Sequence, residues 1–243
     1  MYMKYIHLIF VAIIIFSIPF IVNAWKGYFM PSKDSEVYEL VNDDVMGDLG
    51  MRLDEIVSVL RQQGKGASLS QSLSTSQNKR GVRSVYREID PKLCSFIDEQ
   101  VEILTMQASD ILGVRVTQAL CEEDQFCWYT KMYDTPGDFI SWHFDNNFTT
   151  GSRYTMVCNI YTSQENESHF LTRDGKGSVK VHISKSGKGL LYDGSITKHA
   201  ISRQSEEGTR LVLIIPLYDN YTKTWFGKWR QWARDVSFQI LGL

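Results

Sequence analysis

Apolar residues follow three different rhythms along this chain, and each predicts a different kind of element. Ile6 to Val22 is almost continuously apolar. That run is near the lower limit for a transmembrane helix and slightly long for a signal-peptide core. Val22-Asn-Ala24 carries small residues where a signal peptidase would need them. Two readings therefore stand: an uncleaved signal anchor, or a cleaved signal peptide. Lys4 and Lys26 flank the run almost symmetrically, so charge does not set orientation. A short tail in front and a large domain behind put that domain on the lumenal side, or outside the cell after cleavage.

Helical spacing comes next. In Val37 to Gln63 the apolar positions include Leu40, Val41, Val45, Leu49, Leu53, Ile56, Val57 and Leu60, which predicts a stem helix. Gly47 and Gly50 weaken it locally. Packing is the plain role for such a helix, and a short, irregular coiled coil is the alternative. Gly64 to Gly81 is Ser/Gln/Gly-rich and reads as a flexible linker. Pro91 to Leu112 reads as a helix with Pro at its start and Gly113 at its end. Leu93, Phe96, Ile97, Val101 and Leu104 mark its apolar face.

From Cys127 to Leu217 the rhythm shortens to strands separated by Gly, Asp, Asn and Ser turns. Thr209 to Leu217 is the most apolar and β-branched of these strands. The pattern suits a double-stranded β-helix, the jelly-roll type of barrel, so the fold class is mainly β with flanking helices. Trp225 to Leu241 reads as an amphipathic helix, with Trp225, Trp229, Trp232 and Val236 on one face and Lys228, Arg230 and Arg234 elsewhere. It would pack on the barrel, with membrane contact or a lid as alternatives. The resulting division is 1–24 anchor or signal peptide, 25–82 stem and linker, 83–222 catalytic domain, and 223–243 terminal helix.

Composition narrows the partners. The formal net charge of −2 and the lack of a basic run give no reason to expect nucleic acid. Four cysteines, Cys94, Cys121, Cys127 and Cys158, allow three disulfide pairings in an oxidising compartment. Cys121 and Cys127 are close enough in sequence to pair, while Cys158 suits a buried thiol in an apolar strand. No Cys-x-x-Cys spacing exists for a zinc site. Asn147, Asn166 and Asn220 begin Asn-x-Ser/Thr triplets.

The candidate chemistry lies in His143-Phe-Asp145, followed by His199 and Arg210. In His-x-Asp the two ligands point to the same face of a strand. A second histidine from another strand completes two imidazoles and one carboxylate on one side of a metal. That set is the signature of non-haem Fe(II) oxygenases, because the opposite side stays open. Arg210, at the start of the apolar strand, offers a fork for the distal carboxylate of a 2-oxo acid. An arginine there needs a partner, since an unpaired buried charge is costly. His169 and His182 compete as third ligand, but only His199 precedes the arginine strand. His182 alternates with Val179 and Val181 and is expected to point outward with Lys180.

The stretch Trp128-Tyr-Thr-Lys-Met-Tyr133-Asp-Thr-Pro-Gly137-Asp-Phe-Ile-Ser-Trp-His143-Phe-Asp145 resembles the prolyl 4-hydroxylase-like domain of the 2-oxoglutarate/Fe(II) dioxygenase superfamily. The resemblance covers roughly residues 90–220. It extends to Arg153-Tyr-Thr-Met156 and to the strand from Gly187 to Tyr192. It implies that His143, Asp145 and His199 bind iron, and that Arg210 and Tyr133 hold 2-oxoglutarate. It also implies hydroxylation of a peptidyl side chain with O2, release of succinate and CO2, and ascorbate as reductant. Two departures bear on substrate: Arg210 stands where collagen-type enzymes carry Lys, and Glu165 to Thr172 replaces their Gly-Gly-x-Thr-x-Phe element. Peptidyl proline, lysine and a small molecule all stay open as substrates. A metal-free jelly-roll binding module and an anchored structural subunit are the alternatives outside catalysis.

Overall fold

Arg210–Tyr218 is buried at every one of its nine positions, which is why its Leu-Val-Leu-Ile-Ile run carries no polar alternation. The computed structural model describes residues 31–63 and 83–232, apart from 125, 146, 164–167, 184 and 205–206, together with Ile18. The described strands, in chain order, are β1 (Val37–Val41), β2 (Thr117–Gln118), β3 (Tyr129–Tyr133), β4 (Ile140–His143) and β5 (Arg153–Thr162), then β6 (Phe170–Arg173), β7 (Val179–His182), β8 (Lys188–Asp193), β9 (Lys198–Ile201) and β10 (Arg210–Tyr218). The helices are α1 (Asp43–Met51), α2 (Leu53–Gln62), α3 (Arg83–Ile89) and α4 (Pro91–Leu112). A last helical stretch, α5, covers residues 225–232.

The strands form two antiparallel sheets. The larger runs β1-β8-β5-β10-β2, with β3 also on β10, and the smaller runs β4-β9-β6-β7. Consecutive strands such as β3 and β4, or β9 and β10, lie in different sheets. This alternation is the jelly-roll winding that the strand pattern predicts. One core lies between the sheets and includes Tyr133, Val157, Phe170, Leu190, Tyr192, Val212 and Ile214. The other lies outside the large sheet, where Met132, Met156, Cys158, Leu211, Leu213 and Ile215 meet the helices.

The α4 helix agrees with its sequence signals. Asp90 caps it by accepting from the Leu93 amide, Pro91 opens it, and Gly113 closes it in the left-handed region. Leu93, Ile97, Val101 and Leu104 are buried against the large sheet's outer core, and Phe96 is partly buried.

The expected stem helix is corrected. Val37–Val41 is an edge strand paired antiparallel with β8. Asn42 then caps α1 through a hydrogen bond from the Val45 amide, and the helix breaks at Arg52 before α2. The β-branched ends of Val-Tyr-Glu-Leu-Val favour a strand once a partner edge is present. Leu40, Val45, Met46, Leu49, Ile56, Val59 and Leu60 are buried in the same core as α4. These residues are therefore built into the barrel rather than standing off it.

The face of α5 is also corrected. Trp225 is 81% exposed and Trp232 48%, whereas Arg230 and Gln231 are buried. The cause is Gly227, whose missing side chain lets the helix backbone press on the Phe148 carbonyl. Arg230 then lies over the Phe148 ring, and Gln231 donates to the Glu123 carbonyl.

Cys121 and Cys127 form a disulfide, and Cys94 and Cys158 are buried thiols. The apolar run at 6–22, the 64–81 linker, Asn166 and positions 233–243 lie outside the described residues, Ile18 excepted. Among the described residues no helix is long and apolar enough to cross a membrane.

Candidate active site

The two histidines come from strands that pair directly, with His143 opposite His199. Their ring centroids are 4.2 Å apart. Asp145 follows β4, and its amide donates to the Gly194 carbonyl at 2.8 Å. Its Oδ1 lies 3.7 Å from His199 Nε2 and 4.0 Å from His143 Nε2. One ligand atom from each of the three lies within 4.8 Å of the others, close enough to hold one metal ion.

Hydrogen bonds behind the triad fix which atoms face the common point. His143 Nδ1 meets the Ser141 carbonyl at 2.7 Å, and His199 Nδ1 meets the Thr197 carbonyl at 3.0 Å. A carbonyl can only accept, so each Nδ1 carries the proton and each Nε2 presents a lone pair. Burial, joined by the neighbouring His199, pulls His143 down to about 3, and burial also lowers His199. Both rings stay neutral at physiological pH, as metal ligands must. Asp145 behaves oppositely. Burial alone would raise its carboxyl, but Arg153, both histidines and the Thr155 hydroxyl hold it well below the usual carboxylate range. Thr155 donates to Oδ2, and Arg153 Nη2 stands 4.0 Å from Oδ1.

Gly194 is part of this arrangement. A Cβ there would collide with Asp145 Oδ2 and lie 2.6 Å from Thr155 Oγ1. The carboxylate fits only because the β8 turn has no side chain at that point.

Arg210 closes the other end. It is fully buried and pairs across the sheet with Tyr133. Its guanidinium sits 5.6 Å from the Tyr133 ring centroid. Nε donates to Asn159 Oδ1 at 2.9 Å, while Nη1 and Nη2 have no hydrogen-bond partner among the described residues. Burial pulls the guanidinium down to about 10, with Tyr133 opposing. Burial also pushes the Tyr133 phenol up, with Arg210 opposing, so it stays a neutral donor. A buried fork with both terminal nitrogens free is shaped for a bidentate carboxylate.

The structure thus brings His143, Asp145 and His199 into one cluster and sets Arg210 against Tyr133 across β10 and β3. Sequence reasoning missed the residues that hold them: Thr155 and Arg153 on Asp145, Asn159 on Arg210, and Gly194 at the turn. It also missed Lys131, which the i, i+2 rule places on the same face as Tyr133. His182 corrects another expectation. Val179 and Val181 are exposed, and His182 turns inward to Thr172 Oγ1 at 3.0 Å and toward the Phe170 ring. His182 is not part of the triad.

No family model matches the chain, and no curated protein sequence does. Solved structures do. A Pseudomonas putida prolyl-4-hydroxylase superposes with a TM-score of 0.53 at 10% identity, over 84% of this chain and all (100%) of that one. A Trichoplax adhaerens prolyl hydroxylase, solved with a fragment of the hypoxia inducible factor oxygen degradation domain, gives 0.52 at 14%, over 75% and 83%. EctD from S. alaskensis, solved with 2-oxoglutarate and 5-hydroxyectoine, gives 0.51 at 10%, over 76% and 72%. The chain therefore has the fold of the prolyl 4-hydroxylase-like 2-oxoglutarate/Fe(II) oxygenases.

Proposed function

We propose that this protein is an Fe(II)- and 2-oxoglutarate-dependent dioxygenase that hydroxylates a side chain, in the manner of prolyl 4-hydroxylases. The observation that carries this reading is the pairing of the His143–Asp145–His199 cluster with the two free nitrogens of buried Arg210. One end of the cavity offers three ligand atoms suited to iron. The other offers a fork for a carboxylate.

When bound, iron with 2-oxoglutarate supplies the oxidising chemistry, consuming O2 and releasing succinate, CO2 and a hydroxylated product. The chain's residues do the rest. His143 and His199 present neutral Nε2 atoms, held by the Ser141 and Thr197 carbonyls. Asp145 stays ionised beside Arg153 and Thr155. Arg210, braced by Asn159, takes the distal carboxylate, and Tyr133 donates to the same co-substrate. Phe170 and Tyr192 pack against the His199 ring and keep that side of the site apolar and dry.

The substrate in this reading is a peptidyl side chain, with proline the leading choice. The Trichoplax enzyme, solved with a peptide fragment, supports a peptide as the substrate class. Ascorbate serves as the reductant. In this reading the apolar N-terminal run directs the domain into the secretory pathway, as an anchored lumenal protein or a secreted one.

The test is spectroscopic. Anaerobic, metal-free protein receives Fe(II) and then 2-oxoglutarate, and the visible charge-transfer band is recorded. The parent should show the band, Asp145→Ala should lose it, and Arg210→Ala should need far more 2-oxoglutarate. Folded parent protein with no band and no thermal stabilisation would sink this reading in favour of a metal-free binding module.

A further inference from the structure

We propose that Lys131 is a second cationic clamp on the co-substrate, pairing with the carboxylate beside its keto carbon; this rests on the 2-oxoglutarate reading above. Strand β3 alternates strictly. Thr130 and Met132 turn outward, Thr130 to the Tyr86 hydroxyl and Met132 into the helix-side core. Tyr129 and Tyr133 belong to the core between the sheets. Lys131, between them, therefore projects to the side between the sheets.

Register places it along that face. Arg210 pairs with Tyr133, Val212 with Lys131 and Ile214 with Tyr129. On the other side of β10, Val212 pairs with Asn159 and Pro216 with Thr155. Lys131 thus shares a cross-sheet row with Asn159, which braces Arg210, and lies one row inward from the anchor. The row of Thr155, which holds Asp145, lies beyond. The Lys131 ammonium is 5.6 Å from the Tyr129 ring centroid, so the side chain leans from its own row toward the metal end. Its charge acts on both histidines, lowering each, and Asp145 acts back on it.

Among the described residues, Asp145 is the acidic group that acts on Lys131. No hydrogen bond or ion pair is recorded for the Lys131 ammonium among the described residues, and the nearby Asp145 is held by Thr155 and Arg153. A cation in such a cavity is costly unless an anion arrives. Arg210 and Lys131 together form a site with two separated positive charges. A 2-oxo dicarboxylate has two separated negative charges and matches it end for end. A monocarboxylate would satisfy only one.

Two ligands separate the two cations. 2-Oxoglutarate carries both carboxylates. 4-Oxopentanoate keeps the ketone and the distal carboxylate but has a methyl group where the other carboxylate stands. Calorimetry on the full-length protein, metal-free and Zn(II)-loaded, measures both for the parent, Lys131→Met and Lys131→Arg, with melting temperatures to confirm folding. Lys131→Met should weaken 2-oxoglutarate on the order of tenfold or more and leave 4-oxopentanoate unchanged, and Lys131→Arg should recover much of the loss. Unchanged 2-oxoglutarate binding in folded Lys131→Met, or equal loss of both ligands, would overturn the proposal. Parent protein that binds neither ligand with Zn(II) present would instead overturn the co-substrate reading itself.

Discussion

Replacing Arg210 by Met should stabilise the ligand-free protein and abolish tight co-substrate binding at the same time. The side chain is fully buried, and among the described residues no carboxylate pairs with it. Burial pulls it down to about 10, a displacement worth roughly 3 kcal/mol against the folded state. Methionine keeps much of the length and removes the charge. It forfeits the Nε–Asn159 hydrogen bond, about 1–2 kcal/mol, while Asn159 keeps its second bond to the Lys188 carbonyl. The net gain is about 1–2 kcal/mol, or roughly 2–6 °C in Tm for a domain of this size. Binding moves the other way. Loss of a charge-assisted bidentate pair should weaken 2-oxoglutarate about a hundredfold. Thermal denaturation without ligands and titration calorimetry with 2-oxoglutarate measure the two effects. A variant that melts several degrees lower, or binds 2-oxoglutarate like the parent, would refute the assignment, because either result makes Arg210 a structural cation.

Gly194→Ala should leave the fold intact but weaken Zn(II) or Fe(II) binding about 10–100-fold, because the new methyl group pushes Asp145 off its position; unchanged metal affinity by competition with a chelator would count against it. Lys131 predicts a pH effect on the ligand-free protein. Burial holds its ammonium down to about 8, so the unfolded chain binds more protons between that value and the ordinary lysine range. Stability should therefore rise as pH climbs through 8 toward 10, by up to about 3 kcal/mol. Urea midpoints across that range should show the rise in the parent and lose it in Lys131→Met.

Much of this site was legible because its chemistry is written in local spacing. His143 and Asp145 are two apart on one strand end, and that alone puts them on one face. The β10 run is apolar enough to announce a buried strand, which makes Arg210 conspicuous. Caps are equally local, so Asp90, Pro91 and Gly113 give α4 its ends. Where the reading failed, a distant partner had decided. Val37 to Val41 has helical spacing, but the free edge of β8 captures it as a strand. The α5 tryptophans look like a buried stripe, but Gly227 seats the opposite face on Phe148. His182 sits on a short edge strand whose inward face is set by pairing with Phe170.

The sequence by itself therefore determined the candidate ligand types, the jelly-roll class and the order of those candidates along the chain, since these depend on residue chemistry and short-range periodicity. Only the tertiary structure decided that His143 faces His199, that Thr155 and Arg153 hold Asp145, and that Asn159 braces Arg210. It alone put Lys131 one same-face row from Arg210, in the row that holds Asn159. Those relations join residues from strands far apart in sequence. They exist only once the two sheets close on each other and one strand register is chosen over its neighbours.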